Sequence, residues 1–183
     1  MKGFKRENQL LSLCGLNCGL CPMHLGGHCP GCGGGDGNQS CKIARCGMEA
    51  GVTYCFECIK YPCSHYKGID AYDSFITHQH QLKDMKKAST IGIAAYNREQ
   101  QLKIILLQEL LMKYNDGRKK TLYCLAVNLL EEEEIRLEIK RLEERIEFTS
   151  STIKEQARLV SDRLHVLAKE HQVVLKQRKK ESR

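Results

Sequence analysis

The chain has no tryptophan, and aromatic residues make up only 6% of its 183 positions. Large aromatic anchors are scarce, so much of the core must come from Leu, Ile, Val and Ala. There is no run of about 18 apolar residues, the length a membrane helix needs. The first residues, Met-Lys-Gly-Phe-Lys-Arg-Glu-Asn-Gln-Leu-Leu, carry charges but lack the apolar stretch of about seven to fifteen residues found in a secretory signal. The expected location is the cytoplasm, with no membrane partner. Also missing are a Ser-His-Asp set, a phosphate-binding loop and a pair of catalytic carboxylates. No catalytic residue is therefore assigned, and a binding module is preferred over an enzyme.

Cysteine, by contrast, is abundant. Ten of the eleven lie between Cys14 and Cys63, and the other is Cys124. In a reducing compartment, dense cysteines read as metal ligands and not as a disulfide scaffold. The ten candidates are Cys14, Cys18, Cys21, Cys29, Cys32, Cys41, Cys46, Cys55, Cys58 and Cys63. Three pairs are separated by two residues, a spacing that lets both thiolates of a tight turn face one ion while backbone amides bond the sulfurs. Cys29-Pro30-Gly31-Cys32-Gly33 is the sharpest: Pro30 stiffens the turn, and Gly33 accepts positive φ where the chain folds back. It reads as a zinc knuckle.

Ten thiols can fill two four-cysteine sets with two left over. One arrangement places Cys29, Cys32, Cys41 and Cys46 on one ion and Cys18, Cys21, Cys55 and Cys58 on another, leaving Cys14 and Cys63 as extra ligands or supporting thiols. His24, His28 and His65 are further donors by type, with His28 and His65 expected in solvent. Zinc is the preferred ion. An iron–sulfur cluster is the alternative, because Cys14-x3-Cys18-x2-Cys21-Pro22 resembles a cluster-holding run. The same spacing occurs in radical S-adenosylmethionine enzymes, but those need a large α/β barrel, and nothing here alternates strand and helix.

The formal charge is +7 with thiols counted as neutral. Metal-held thiolates would make residues 1–68 acidic. The basic surplus collects in the tail, where Lys176, Arg178, Lys179, Lys180 and Arg183 face only Glu181. No aromatics interleave those charges, so a solvated basic end is preferred and nucleic-acid binding is weakly supported.

Residues 14–68 hold most of the glycine, with seven crowded into 26–37, and no apolar periodicity survives in 14–68 for more than a few positions. Such a segment cannot offset its chain entropy by apolar burial and needs staples. Within it, short helical turns are expected at Cys18–His24 and Gln39–Ala50. Beyond it the chain reads as all-α: helices over 70–87, 90–115, 121–130 and 131–147, with Asn115-Asp116-Gly117 as a stop. Thr152 with Glu155 matches a capping box. The last helix is expected over 153–176. Ile153, Val160, Leu167 and Val174, with Ala157, Leu164 and His171 between them, form a heptad seam. The expected architecture is thus a small, irregular, metal-stabilised cysteine-rich domain (1–68), a helical part (69–130), and an antiparallel hairpin or coiled coil with a basic tail (131–183). That hairpin is the candidate surface for a protein partner or self-association.

Cys14-Gly15-Leu16-Asn17-Cys18-Gly19-Leu20-Cys21, Cys29-Pro30-Gly31-Cys32, Cys41 to Cys46, and Cys55-Phe56-Glu57-Cys58-Ile59-Lys60-Tyr61-Pro62-Cys63 resemble a widespread prokaryotic family of cysteine-rich domains of unknown function. Its members open with Cys-Gly-Leu-x-Cys and close with an aromatic-Pro-Cys step. Tyr114-Asn115-Asp116-Gly117-Arg118 and Tyr123-Cys124 resemble its helical half. The resemblance spans about residues 12–130. It implies metal binding, zinc by preference, and no established activity. It also marks Cys124 as a family position, though a buried helical cysteine is the simpler expectation.

Overall fold

A computed structural model of the chain describes residues 3–35 and 41–180. The described residues hold eight α-helices and no β-strand. The chain divides into two compact units, residues 1–101 with 178–183, and residues 102–177. The cysteine region therefore belongs to the same unit as the helices up to Gln101.

The first unit starts with irregular chain. A 3-10 turn at Cys18–Leu20 leads into α1 (Pro22–Leu25), and α2 spans Lys42–Ala50. The residues before α2 expected to open it, Gln39 and Ser40, lie outside the described residues, as does Gly37. Gly51 ends α2 at φ 66°, in the left-handed region. Two more 3-10 turns follow at Cys55–Glu57 and Ser64–Tyr66, then α3 (Gln81–Ile91) and α4 (Ile93–Lys113). The core of the unit joins Phe4, Leu11, Leu13 and Tyr54 to Met85, Ala88 and Tyr96, with Cys14, Cys32, Cys41 and Cys63 packed against it. Thiols here supply bulk that the scarce aromatics do not.

The helix expected over 70–87 begins eleven residues later, at Gln81. Asp73 is the reason. Its carboxylate accepts the His78 amide at 2.8 Å and the Thr77 hydroxyl at 3.3 Å, offering the backbone an alternative to helix. Its own amide donates to the Arg178 carbonyl at 2.8 Å. The break expected to be absent from 90–115 is set at Gly92, whose φ of 83° separates α3 from α4.

The second unit contains the rest of α4, then α5 (Lys120–Leu129), α6 (Glu132–Glu143), α7 (Ile146–Thr149) and α8 (Ile153–Glu170). Asn115 Oδ1 accepts the amides of Gly117 and Lys119, so the stop after α4 is an Asx-type loop. Cys124 is buried in α5. The expected hairpin is present: α6 and α8 pack together. His171 meets Glu134 and Arg163 meets Glu138, an order that fixes the two helices as antiparallel. Of the heptad residues, Ala157, Val160, Leu164 and Leu167 are buried. Ile153 and Val174 are about half exposed, and the helix stops at Glu170, six residues earlier than expected. Gln172, at φ 55°, turns the chain away.

Candidate metal centre

Short turns place the thiols. The Cys21 amide donates to the Cys18 carbonyl at 3.1 Å, and the Cys58 amide to the Cys55 carbonyl at 3.1 Å. These two of the three two-residue spacings therefore close as tight turns. Glu57 finishes the second one: its Oε2 accepts the amides of Thr53 at 2.7 Å and Tyr54 at 3.0 Å. The Cys55 amide bonds the Leu13 carbonyl at 2.9 Å, tying the two cysteine loops together. The Tyr61–Pro62 peptide bond is cis.

The knuckle has the expected backbone. Gly31 and Gly33 adopt φ of 87° and 79°. Gly33 is also needed for closeness, since a Cβ there would lie 2.8 Å from the Arg6 amide nitrogen. The segment around Arg6 and Gln9 wraps this turn, an element the sequence reading did not single out.

Two groups of thiols emerge. In the first, Cys14, Cys18, Cys32 and Cys41 are near enough that a negative charge on one raises the pKa of another, and Cys55 acts likewise on Cys14 and Cys21 on Cys18. Burial is the main force: it pushes Cys14 and Cys18 each up to about 12 and also raises Cys32. Donors to sulfur work against it. Ser12 Oγ lies 3.2 Å from Cys14 Sγ, the Cys32 amide donates to Cys18, and the Leu13 amide donates to Cys32.

In the second group, Cys46, Cys55, Cys58 and Cys63 line one cavity walled by Ile43, Ala50, Val52, Tyr61 and Tyr66. Its space of about 20 Å³ is large enough for a water or a single ion. Burial pushes Cys55 up to about 11, with Cys63, Cys46 and Cys58 adding to the rise. The Tyr66 hydroxyl opposes this from beside Cys55, and it also lies 3.2 Å from the Cys14 carbonyl. Tyr61 and Tyr66 meet edge to face at 4.9 Å.

These neighbourhoods differ from the arrangement read from spacing. Cys18 and Cys32 fall in one group, and Cys46 joins Cys55 and Cys58. Cys14 lies near Cys18, Cys32 and Cys41, and Cys63 lines the cavity with Cys46, Cys55 and Cys58. Cys21 is buried beside Cys18. Cys29 is half-buried, and its carbonyl lies 2.9 Å from His24 Nδ1. His28 and His65 are both exposed, the latter at the rim of the second cavity. Among the described residues, no group of three or more Cys, His, Asp or Glu side chains is already arranged to hold a metal ion.

The chain matches no family model, no curated protein and no solved structure. What the centre does is therefore argued from its chemistry.

The donor sets suit a thiophilic cation. A buried thiol with a pKa near 12 keeps its proton at neutral pH unless a positive ion replaces it. Amide and hydroxyl donors on sulfur stabilise the thiolate form, as in tetrahedral cysteine sites. Among the described residues, no helix is long and apolar enough to cross a membrane.

Proposed function

We propose that the chain is a metal-binding module whose first unit folds around two thiolate-held ions, zinc by preference. Cys14, Cys18, Cys32 and Cys41 would hold one, and Cys46, Cys55, Cys58 and Cys63 the other. The observation that carries this reading is the cavity of the second group: four cysteines around a small space with largely apolar walls. Bound there, the ion supplies the positive charge that lets four neighbouring sulfurs stay deprotonated. Tyr66 holds Cys55 by its hydroxyl, and Glu57 holds the turn that presents Cys55 and Cys58.

The loop closed by Cys58 and Cys63 carries Ile59, which is 99% exposed. A structural ion would hold that loop in one shape for a protein partner, which favours a binding or adaptor role over an enzyme. Elemental analysis of freshly purified protein, with a visible spectrum, tests the reading. Two zinc ions per chain and a colourless solution are expected; a folded, metal-free chain would overturn it.

An iron–sulfur centre is the second reading, favoured by one feature: Cys18 has both Cys14 and Cys21 as neighbours, as in a cluster-holding run. Absorbance near 400 nm in anaerobically purified protein would support it, and its absence after reconstitution would remove it.

A further inference from the structure

Arg6 lies eight residues before the first cysteine, yet it is built into the first thiol group. Its amide donates to the Gly33 carbonyl at 3.0 Å, next to Cys32. Its guanidinium lies over the Tyr54 ring, 4.7 Å from the centroid, and Nη1 donates to the Leu11 carbonyl at 3.0 Å. Nε and Nη2 are buried without an oxygen or nitrogen partner, and the side chain hydrogen-bonds the Cys32 sulfur. A guanidinium carries five N–H donors, and enclosing some of them unmatched is costly. An anion beside the group would remove that cost. The guanidinium charge already acts on Cys32, where it opposes the effect of burial.

Four thiolates around one divalent cation leave a net double negative charge in a buried place. Such a charge needs compensation. In the second group the helper beside Cys55 is the uncharged Tyr66 hydroxyl.

We propose that Arg6 is the charge partner of the first cysteine group: its backbone is tied to Gly33 and its guanidinium stands beside Cys32, where its positive charge offsets the excess negative charge of a thiolate-held ion. The inference rests on the metal reading above and assigns Arg6 a positioning role specific to one of the two ions.

The test is a zinc titration of the full chain against a chromophoric chelator, comparing wild type with Arg6→Gln and Arg6→Lys. Wild type should show two binding steps. Arg6→Gln should weaken one step by about 10- to 100-fold, the range for residues that support metal ligands, and leave the other unchanged. Arg6→Lys, which keeps the charge and loses the fork, should fall between. Combining Arg6→Gln with Cys58→Ser or with Cys18→Ser assigns the weakened step: the loss should appear with Cys58→Ser, where the first group is intact, and vanish with Cys18→Ser. Equal weakening of both steps would make Arg6 a general packing residue and overturn the proposal, as would no weakening at all. A wild-type chain with no zinc step would instead bring down the metal reading, and this inference with it.

Discussion

Asn17 stands within the Cys14–Cys21 motif but serves the helices. Its amide donates to Asp84 Oδ2 at 2.9 Å, and its Oδ1 accepts the Tyr96 hydroxyl at 2.8 Å. Tyr96 is 1% exposed. Tyr96→Phe removes that donor from a buried acceptor and should lower stability by about 1–3 kcal/mol in urea unfolding, with little change in metal content. Gly33→Ala should cost more than an ordinary Gly→Ala change, because the residue has positive φ and its Cβ would meet the Arg6 backbone. Reduced zinc affinity and a lower Tm are the expected readouts. The tight turns at Cys18–Cys21 and Cys55–Cys58 were legible from spacing, because a two-residue gap has only a few ways to close. The grouping of the cysteines was not: it depends on which loops the Leu13–Cys55 amide bond and the Arg6–Gly33 contact bring together. Arg6 was illegible for the same reason, since its partners are a backbone turn and an aromatic face distant in sequence.

At the scale of elements, two acidic residues set the acid limit. Burial alone would raise Asp73, but hydrogen bonds from Arg178 outweigh it and hold its carboxyl below the usual range. Burial would likewise raise Glu138, and hydrogen bonds from Arg163 and Arg141 hold it down. A depressed carboxylate pKa contributes stability that is full above the unfolded value, about 4, and fades as pH falls through the folded one. The Asp73–Arg178 clamp should therefore hold the tail at neutral pH and release it only in stronger acid. Asp73→Asn should speed trypsin cleavage after Lys176 and Lys179 at pH 7 by freeing the backbone of the tail; equal cleavage rates would contradict the clamp. In α8, Thr152 Oγ1 accepts the Glu155 amide at 3.3 Å, while the Glu155 carboxylate turns to Arg158. Only half of the expected capping box forms, and Thr152→Ala should cost about 1 kcal/mol in thermal unfolding. Periodicity gave the hairpin because Val160 and Leu164 face its core. It overran the end of α8 because Val174 continues the heptad by residue type while the backbone has already turned at Gln172.

For the whole molecule, the two units rest on different physics. Residues 102–177 bury runs of Leu, Val and Ala along α5, α6 and α8 and need no staple. Residues 3–101 mix a small apolar core with half-buried thiols whose deprotonated form burial disfavours. All-α character was readable beyond residue 68, because helical spacing is local. The division near Gln101 was not, because composition changes near residue 68 while the core continues through Met85, Ala88 and Tyr96.

The most direct test of the account is hydrogen exchange of the purified chain before and after a strong zinc chelator. Loss of the ions should strip amide protection from Leu11–Leu20 and Tyr54–Tyr66 while α5, α6 and α8 keep theirs. Unchanged protection across the cysteine loops in demonstrably metal-free protein would contradict it.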